Sequence, residues 1–322
     1  MIKPTQMNWT SLLQKLQHRF GDSIREMVPL SEYTSFGIGG PARLLATVSD
    51  ADSAAALIRE ATDLDIPLLV LGGGTNLLVS DEGFDGLAIH MDFGKVAISR
   101  DTATVTAGAS VPVTDLVNSV ISNAIGGMEF AAGLPGSVGG AIAGNAGCFG
   151  SCFGDILTSA LVLHPDGTLQ RVPPAFFDFE YRRTRVGEQR VIVLEAEFVL
   201  AHGNIEELRA TAAAHLDLRR TRHPSRDIRT AGSYFKNLPP LHPGEHRRAA
   251  GALLEQVGAK QMSVGDAAVF EKHANILINR GNATARQMLT LEHMLKQKVF
   301  DAFGVTLEPE VRFIGTRPST EQ

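Results

Sequence analysis

The sequence predicts an α+β protein, and three observations carry that assignment. Apolar residues at helical spacing alternate with short strand-like runs through the first part of the chain. β-rich segments with period-two alternation follow. Composition then shifts near residue 202, where a long charged helix opens a second region of helices and strands. The main domain boundary is therefore placed within 200–215.

The elements follow in order. After Asp50 or Asp52 as N-cap, Ala54, Leu57, Ile58, Ala61 and Leu64 fall on one stripe of a helix. "LLVL" (68–71) reads as a buried strand that stops at "GGGTN". "TATVTAGA" is a β-branched strand, exposed or half-buried. "VPVTDLVNSVISNA" is a helix with Val113, Leu116, Val117, Val120 and Ile121 on its inner stripe. "SALVLH", the turn "PDGT" and "LQRV" form a hairpin. "VIVLEAEFVLA" puts Ile192, Leu194, Ala196, Phe198 and Leu200 on one face. Beyond the shift, "IEELRATAAAHLDLRRTRH" is a long helix ending in a basic run, and "PSRDIRTAGSYFKNLPPLHPGEH" is a loop region. "RRAAGALLEQVG" is a short helix, and "NATARQMLTLEHMLKQKVFDAFG" is an amphipathic helix that Gly304 terminates. "VTLEPEVRFIG" closes the chain as a strand.

Composition narrows the function classes. A chain of 322 residues, 44% hydrophobic and 20% charged, has the material for two or three globular domains. Its formal net charge of -5 argues against nucleic-acid binding, which needs a basic footprint. The N-terminus lacks a signal-peptide pattern, and no apolar run reaches the roughly 18 residues a membrane helix needs. A soluble cytoplasmic protein is expected. Two cysteines, Cys148 and Cys152, are too few for a disulfide scaffold and make half a zinc site at most, so no metal is expected.

The chemistry concentrates in loops. "GLPGSVGGAIAGNAG" (133–147) holds six Gly, four Ala or Ser and no charge. "GGGTN" (72–76) follows directly on "LLVL". Glycines permit positive φ and expose consecutive N–H groups, as a loop surrounding a pyrophosphate requires. For either loop alone, close packing explains the glycines equally well; two such loops in one domain favour a dinucleotide. "GIGGPA" (37–42) fits a loose dinucleotide fingerprint, but Pro41 stands where its helix should begin. Ser233 in "GSYFKN" lacks any acylation motif, and most loop serines are solvated or capping. Arg182 in "FEYRRTR" has the fork geometry to hold a carboxylate. On the closing strand, alternation places Glu308, Glu310 and Arg312 on one side, which a plain surface strand would also do.

Taken jointly, these residues resemble the UDP-N-acetylenolpyruvoylglucosamine reductases. The matching stretches run in order: "YTSFGIGGPA", "LGGGTNLLVSDEGFDGLAI", "GLPGSVGGAIAGNAG", "YRRTR", "AGSYFKN", "EKHANILIN" with "GNATA", and "LEPEVRFIG". They span about Leu30 to Gly315, and the first two thirds also resemble the FAD-binding fold of vanillyl-alcohol oxidase. The resemblance implies a two-part FAD-binding domain of the vanillyl-alcohol oxidase type, 21–90 and 91–204, then a smaller α+β substrate-binding domain, 205–322. Residues 1–20 precede it as an extension. No room exists for the tyrosine-bearing insertion of the longer class, so the chain resembles the shorter one.

The family's chemistry then assigns roles. NADPH reduces FAD and leaves; the enolpyruvyl substrate takes its place, and hydride passes to the terminal carbon of its vinyl ether. The resemblance implies FAD contacts at Gly72, Gly73, Gly74, Thr75, Asn76 and Leu77, and at Gly133, Pro135, Gly136, Ser137, Gly139, Gly140 and Asn145, with Arg312 added. Ser233 is implied as the acid that protonates the adjacent carbon, Arg182 as the electrostatic group, and Glu310 as its partner. Tyr181, Arg222, Tyr234, Lys236 and Asn237 are implied around UDP-N-acetylglucosamine enolpyruvate, in a monomer serving peptidoglycan synthesis. Two departures stand near the expected substrate pocket, Ala268 for a polar amide and Phe270 for a small hydroxyl residue, and "KNLPP" replaces "KNP". A flavin oxidase with another substrate, or a non-enzymatic nucleotide-sugar binder, would have no reason to retain Arg182, Ser233 and Glu310 together.

Overall fold

The computed structural model describes residues 8–92, 94–242 and 244–317. They divide into two compact units, each assembled from separated segments. The first holds the described residues of Met1–Val28, Arg43–Gly73 and Asp85–Arg219; the second holds those of Pro29–Ala42, Gly74–Phe84 and Arg220–Gln322. The chain leaves the first unit in the middle of "GGGTN", between Gly73 and Gly74.

The first unit has two larger sheets and two two-stranded ones. One larger sheet orders Ile24–Pro29, Pro41–Val48, Phe84–Met91 and Leu68–Leu71. Leu68–Leu71 is its edge strand, parallel to Phe84–Met91, which corrects the expectation of a fully buried strand: Val70 is 38% exposed. The helix Ala51–Asp63 starts at Asp50, whose carboxylate accepts from Ser53 N at 2.7 Å. Such a cap stabilises a helix by about 1 kcal/mol. Ala54, Leu57, Ile58 and Ala61 pack with Leu44, Leu87 and Ile89. Leu64 does not join them, because it lies at the C-cap and points outward. Leu12 and Leu16 of the helix Trp9–Phe20 enter this same core, which gives the N-terminal extension a packing role.

The other larger sheet is antiparallel, in the order Leu169–Val172, Leu157–Leu163, Ile192–Val199, Thr104–Gly108 and Val96–Ser99. Its first pair is the expected hairpin, with Leu163 opposite Leu169. The helix Val113–Ser122 lays its five predicted residues into the core with Val105, Ala107, Ala196 and Phe198.

The second unit is built on an antiparallel sheet ordered Arg229–Ser233, His273–Asn279, Ala267–Phe270 and Ser263–Val264. The region expected as loop around Ser233 therefore contains a strand, which pairs through a bulge between Thr230 and Ser233. One sheet face sends Ala231, Val269 and Leu277 toward Leu254, Met288, Leu291 and Leu295 of the helices Ala250–Gln256 and Ala285–Phe303. Asp81 accepts from Ala285 N and Arg286 N at 2.7 and 3.0 Å, placing a carboxylate at the positive end of the long helix. Gly304, at φ 66°, closes that helix as predicted. The closing strand is only Arg312–Ile314, parallel to Leu77–Val79. Glu308 and Glu310 thus do not share a strand face with Arg312, because Pro309 has no N–H for a ladder and bridges Phe235 instead. Among the described residues no helix is long and apolar enough to cross a membrane.

Gly74 connects the "GGGTN" loop into the second unit at φ 62°, where a Cβ would meet Tyr33 O at 1.9 Å. Gly74→Ala is expected to cost about 2–4 kcal/mol in urea unfolding, from the left-handed backbone and the overlap together. Gly187, with open space at its Cβ position, is the control: Gly187→Ala should change stability by no more than about 1 kcal/mol.

Candidate active site

The expected site residues fall in two groups, one in each unit. In the first unit, the Gly-rich loops lie against one another. A Cβ on Gly73 would come within 2.8 Å of Gly136 Cα, and one on Gly72 within 2.6 Å of Ser137 Oγ. Ser137 caps the short helix Val138–Ala143, accepting from Gly140 N at 3.4 Å. Gly139 is closely packed: its Cβ would meet Ala109 Cβ at 2.7 Å, and its N–H bonds Ala109 O. Gly72, Gly73, Pro135 and Gly140 remain exposed. Close packing and ligand access therefore explain different residues of the same stretch. An exposed surface of peptide groups without bulky side chains fits FAD, whose pyrophosphate needs N–H donors and whose ring needs a flat approach.

Asn145 joins this stretch to the arginine motif. Its Nδ2 donates to Glu180 O at 2.8 Å, and its Oδ1 accepts from Gly154 N at 3.0 Å. Arg182 reaches back, donating from Nη2 to Gly147 O at 2.8 Å and from Nη1 to Asn145 O at 3.4 Å. Asn145 and Arg182 both adopt left-handed backbone, φ 43° and 55°, a conformation that costs about 1–2 kcal/mol per non-glycine residue. The Arg182 guanidinium also lies 5.7 Å from the exposed Tyr181 ring.

One cation here was missed by sequence reasoning. Arg219 on the helix Ile205–Arg222 is half-buried, hydrogen-bonded to the Cys148 thiol and near Arg182, and burial lowers its pKa. Among the described residues no carboxylate pairs with it. The signal was the stripe Leu208, Ala212, Leu216, whose three apolar members pack on the core and which Arg219 continues. Arg222, the residue the basic run suggested, is exposed at the helix end in the second unit, close enough to His273 to lower its pKa after burial has done so. The two thiols do not face each other. In their hairpin Cys148 pairs with Ser151 and Cys152 with Gly147, so they lie on opposite faces, and both are free. Burial raises the pKa of each.

The second unit holds Ser233 and Glu310 through one residue between them. Tyr234 N donates to Asn275 O, and Tyr234 O accepts from Glu310 N, both at 2.8 Å. Lys236 N donates to Glu308 O, and its Nζ reaches Glu308 Oε1 at 2.5 Å. Asn275, buried in the core, pins the adjoining peptide: its Oδ1 accepts from Phe235 N at 2.9 Å and its Nδ2 donates to Phe235 O at 2.8 Å. Asn237 Oδ1 accepts from Ala250 N. Asn76 joins the group by donating from Nδ2 to Glu310 O at 3.2 Å while its own carbonyl accepts from Arg312 N. Asn76, Ser233, Glu310 and Arg312 are thus brought together, with Ser233, Glu310 and Asn76 half-buried and Arg312 exposed.

Two expectations change. Tyr234 does not border a pocket with its side chain: it is 1% exposed, and its hydroxyl donates to the buried Glu292 at 2.8 Å. Ala268 and Phe270 are core residues, clustered with Ile276 and Ile278 on the sheet face opposite the helices. Ser233 pairs with Ile276 in the ladder and so shares that apolar face. Among the described residues no cluster of His, Cys, Asp or Glu has metal-site geometry.

Asn275→Ala would leave the Phe235 N–H and C=O buried without partners. The expected loss is about 2–4 kcal/mol in chemical denaturation, with faster amide exchange at Phe235. A loss below about 0.5 kcal/mol, the level of an inert surface change, would contradict the clamp.

Comparison with known proteins gives the family. A family described as "UDP-N-acetylenolpyruvoylglucosamine reductase, C-terminal domain" matches residues 223–314, and one described as "FAD binding domain" matches residues 42–173. UDP-N-acetylenolpyruvoylglucosamine reductase 2 of Symbiobacterium thermophilum is 39% identical over 297 residues, 92% of this chain and 93% of the relative. The reductase of Syntrophus aciditrophicus is 38% identical, over 89% and 90%. The crystal structure of UDP-N-acetylenolpyruvylglucosamine reductase from Thermus caldophilus superimposes with a TM-score of 0.76 at 31% identity, covering 91% of this chain and all of that one. The chain belongs to the UDP-N-acetylenolpyruvoylglucosamine reductases, FAD-dependent oxidoreductases of peptidoglycan precursor synthesis.

Proposed function

We propose that this chain reduces UDP-N-acetylglucosamine enolpyruvate to UDP-N-acetylmuramate with NADPH, using Ser233, Glu310 and Arg182 as its reacting and charge-stabilising groups. The observation that carries the residue assignment is the single peptide, Tyr234, that holds Ser233 on one side and bonds Glu310 on the other. FAD, when bound, supplies the relay of hydride from NADPH to the terminal carbon of the vinyl ether. Gly72, Gly73, Gly74, Thr75, Asn76, Leu77, Gly133, Pro135, Gly136, Ser137, Gly139, Gly140, Asn145 and Arg312 are the residues that would hold it.

The residues' own work is electrostatic and protonic. Charge that develops toward the substrate carboxylate needs preorganised cations and donors, which Arg182 provides with a guanidinium held by the Asn145 and Gly147 carbonyls. Arg219 adds a second cation beside it, poorly solvated and so strongly attractive to an anion. Ser233 Oγ–H donates its proton to the adjacent carbon. A hydroxyl is a weak acid, so the gain must come from position and from the strong basicity of the enolate carbon. Glu310, held at its N–H by Tyr234, orients that proton transfer. Arg222, Tyr181, Lys236 and Asn237 bind the nucleotide-sugar portion, with Lys236 exchanging Glu308 for a phosphate oxygen. The chain acts as a cytoplasmic monomer in this reading, with residues 21–204 serving FAD and 205–322 the substrate.

The Ser233 assignment is tested by separating half-reactions. Ser233→Ala is expected to leave flavin bleaching by NADPH within about twofold, while anaerobic recolouring by the enolpyruvyl substrate slows by at least about 100-fold, the scale of a lost general acid. Equal loss of both, or an unchanged second half-reaction, contradicts the role.

A further inference from the structure

We propose that Glu292 is a positioning residue for the reaction, acting through Tyr234 on Ser233 and Glu310; the inference rests on the roles proposed above for those two. Glu292 stands in the middle of the helix Ala285–Phe303 and is 5% exposed, an uncommon place for a carboxylate. Its neighbours on the helix, Met288, Leu291 and Leu295, are core residues. One oxygen, Oε2, accepts from Tyr234 Oη at 2.8 Å; the other lies 3.7 Å from Lys296 Nζ. Packing alone would be served by a Phe and an aliphatic residue at these two positions. A hydroxyl and a carboxylate buried together instead demand each other, since either alone would be left unsatisfied in an apolar core.

That demand fixes Tyr234 in direction as well as depth. An apolar ring slides and rotates in its pocket, whereas a ring tethered at its tip is held along its length. The backbone of the tethered residue bears the two proposed reacting groups: Ser233 precedes it, and its carbonyl binds Glu310 N. The Phe235 ring, edge-on to Tyr234 at 5.1 Å, and the Asn275 clamp hold the following peptide. Tyr234 is thus held at its backbone by β-pairing and at its far end by Glu292, and a shift of the ring would move Ser233 Oγ. Misplacement of a reacting group by one ångström costs about 100-fold in rate; a tether that removes part of such freedom should be worth about tenfold.

The test uses Tyr234→Phe, Glu292→Leu, the double variant and Glu292→Gln in the flavin-loaded chain, with Ser233→Ala in parallel. Tyr234→Phe and Glu292→Leu should each slow substrate-driven recolouring about tenfold at saturating substrate. KM and bleaching by NADPH should stay within twofold of the parent. The double variant, which buries no unmatched polar group, should be as stable as the parent and still as slow as the single variants. Glu292→Gln, which keeps an acceptor for the Tyr234 hydroxyl, should recover most of the rate. Amide exchange of the peptide spanning 232–237, read without substrate, should quicken in the slow variants and not in Glu292→Gln. A double variant that recolours at the parent rate overturns the inference, as does a slow double variant with unchanged exchange. If Ser233→Ala itself recolours normally, the reading of Ser233 fails instead.

Discussion

The hydrogen bonds of the Tyr234 peptide are the constraint on which the second unit's chemistry depends. A strand ending at Ser233 would ordinarily release its chain to a loop. Here the next residue is captured twice, by Asn275 O and by Glu310 N, and the one after it is captured twice more by the Asn275 side chain. Each bond has a modest net worth, about 0.5–1.5 kcal/mol. Because Tyr234, Phe235 and Asn275 are buried, however, releasing the segment would leave several polar groups unpaired at once. Residues 233–237 therefore behave as part of the fold. That rigidity is what a serine needs to serve as a proton donor despite its weak acidity.

The first unit solves a different problem, how to present backbone to a large flat group without losing its core. A side chain on Gly73 would collide with Gly136, Gly136 itself takes φ 109°, and Gly139 seats the short helix against Ala109. The packing that forbids side chains there leaves Gly72, Gly73 and Gly140 exposed as bare peptide. Positive charge is arranged at its border by Arg182, held in left-handed backbone, and Arg219, carried by a helix whose apolar stripe anchors it. Low net charge and a locally cationic site are compatible, since steering and binding respond to local fields.

Much of this was legible in the sequence. Periodicity located the helices at 51–63, 113–122 and 285–303 and the hairpin of 157–172, because their apolar stripes are long and their caps are ordinary. Three features misled. The strand Arg229–Ser233 is short, bulged and contains Gly232, so its local signals read as loop. Glu308 and Glu310 alternate as a strand would, but Pro309 breaks the ladder between them. Tyr234 reads as a polar rim residue, and only the distant Glu292 makes it a core residue, a pairing that no local pattern encodes. Motif order pointed to the family, while the grouping of the residues required the fold.

The central claim is that Ser233 and Glu310 work as one constellation joined by the Tyr234 peptide. Single-turnover recolouring of the reduced flavoprotein by UDP-N-acetylglucosamine enolpyruvate tests it directly, in Ser233→Ala, Glu310→Gln and the double variant. Residues acting as a unit lose their effect together. The account predicts that the double variant is no more than about twofold slower than the slower single variant. Multiplication of the two separate losses in the double variant would contradict it, showing that the two side chains contribute independently.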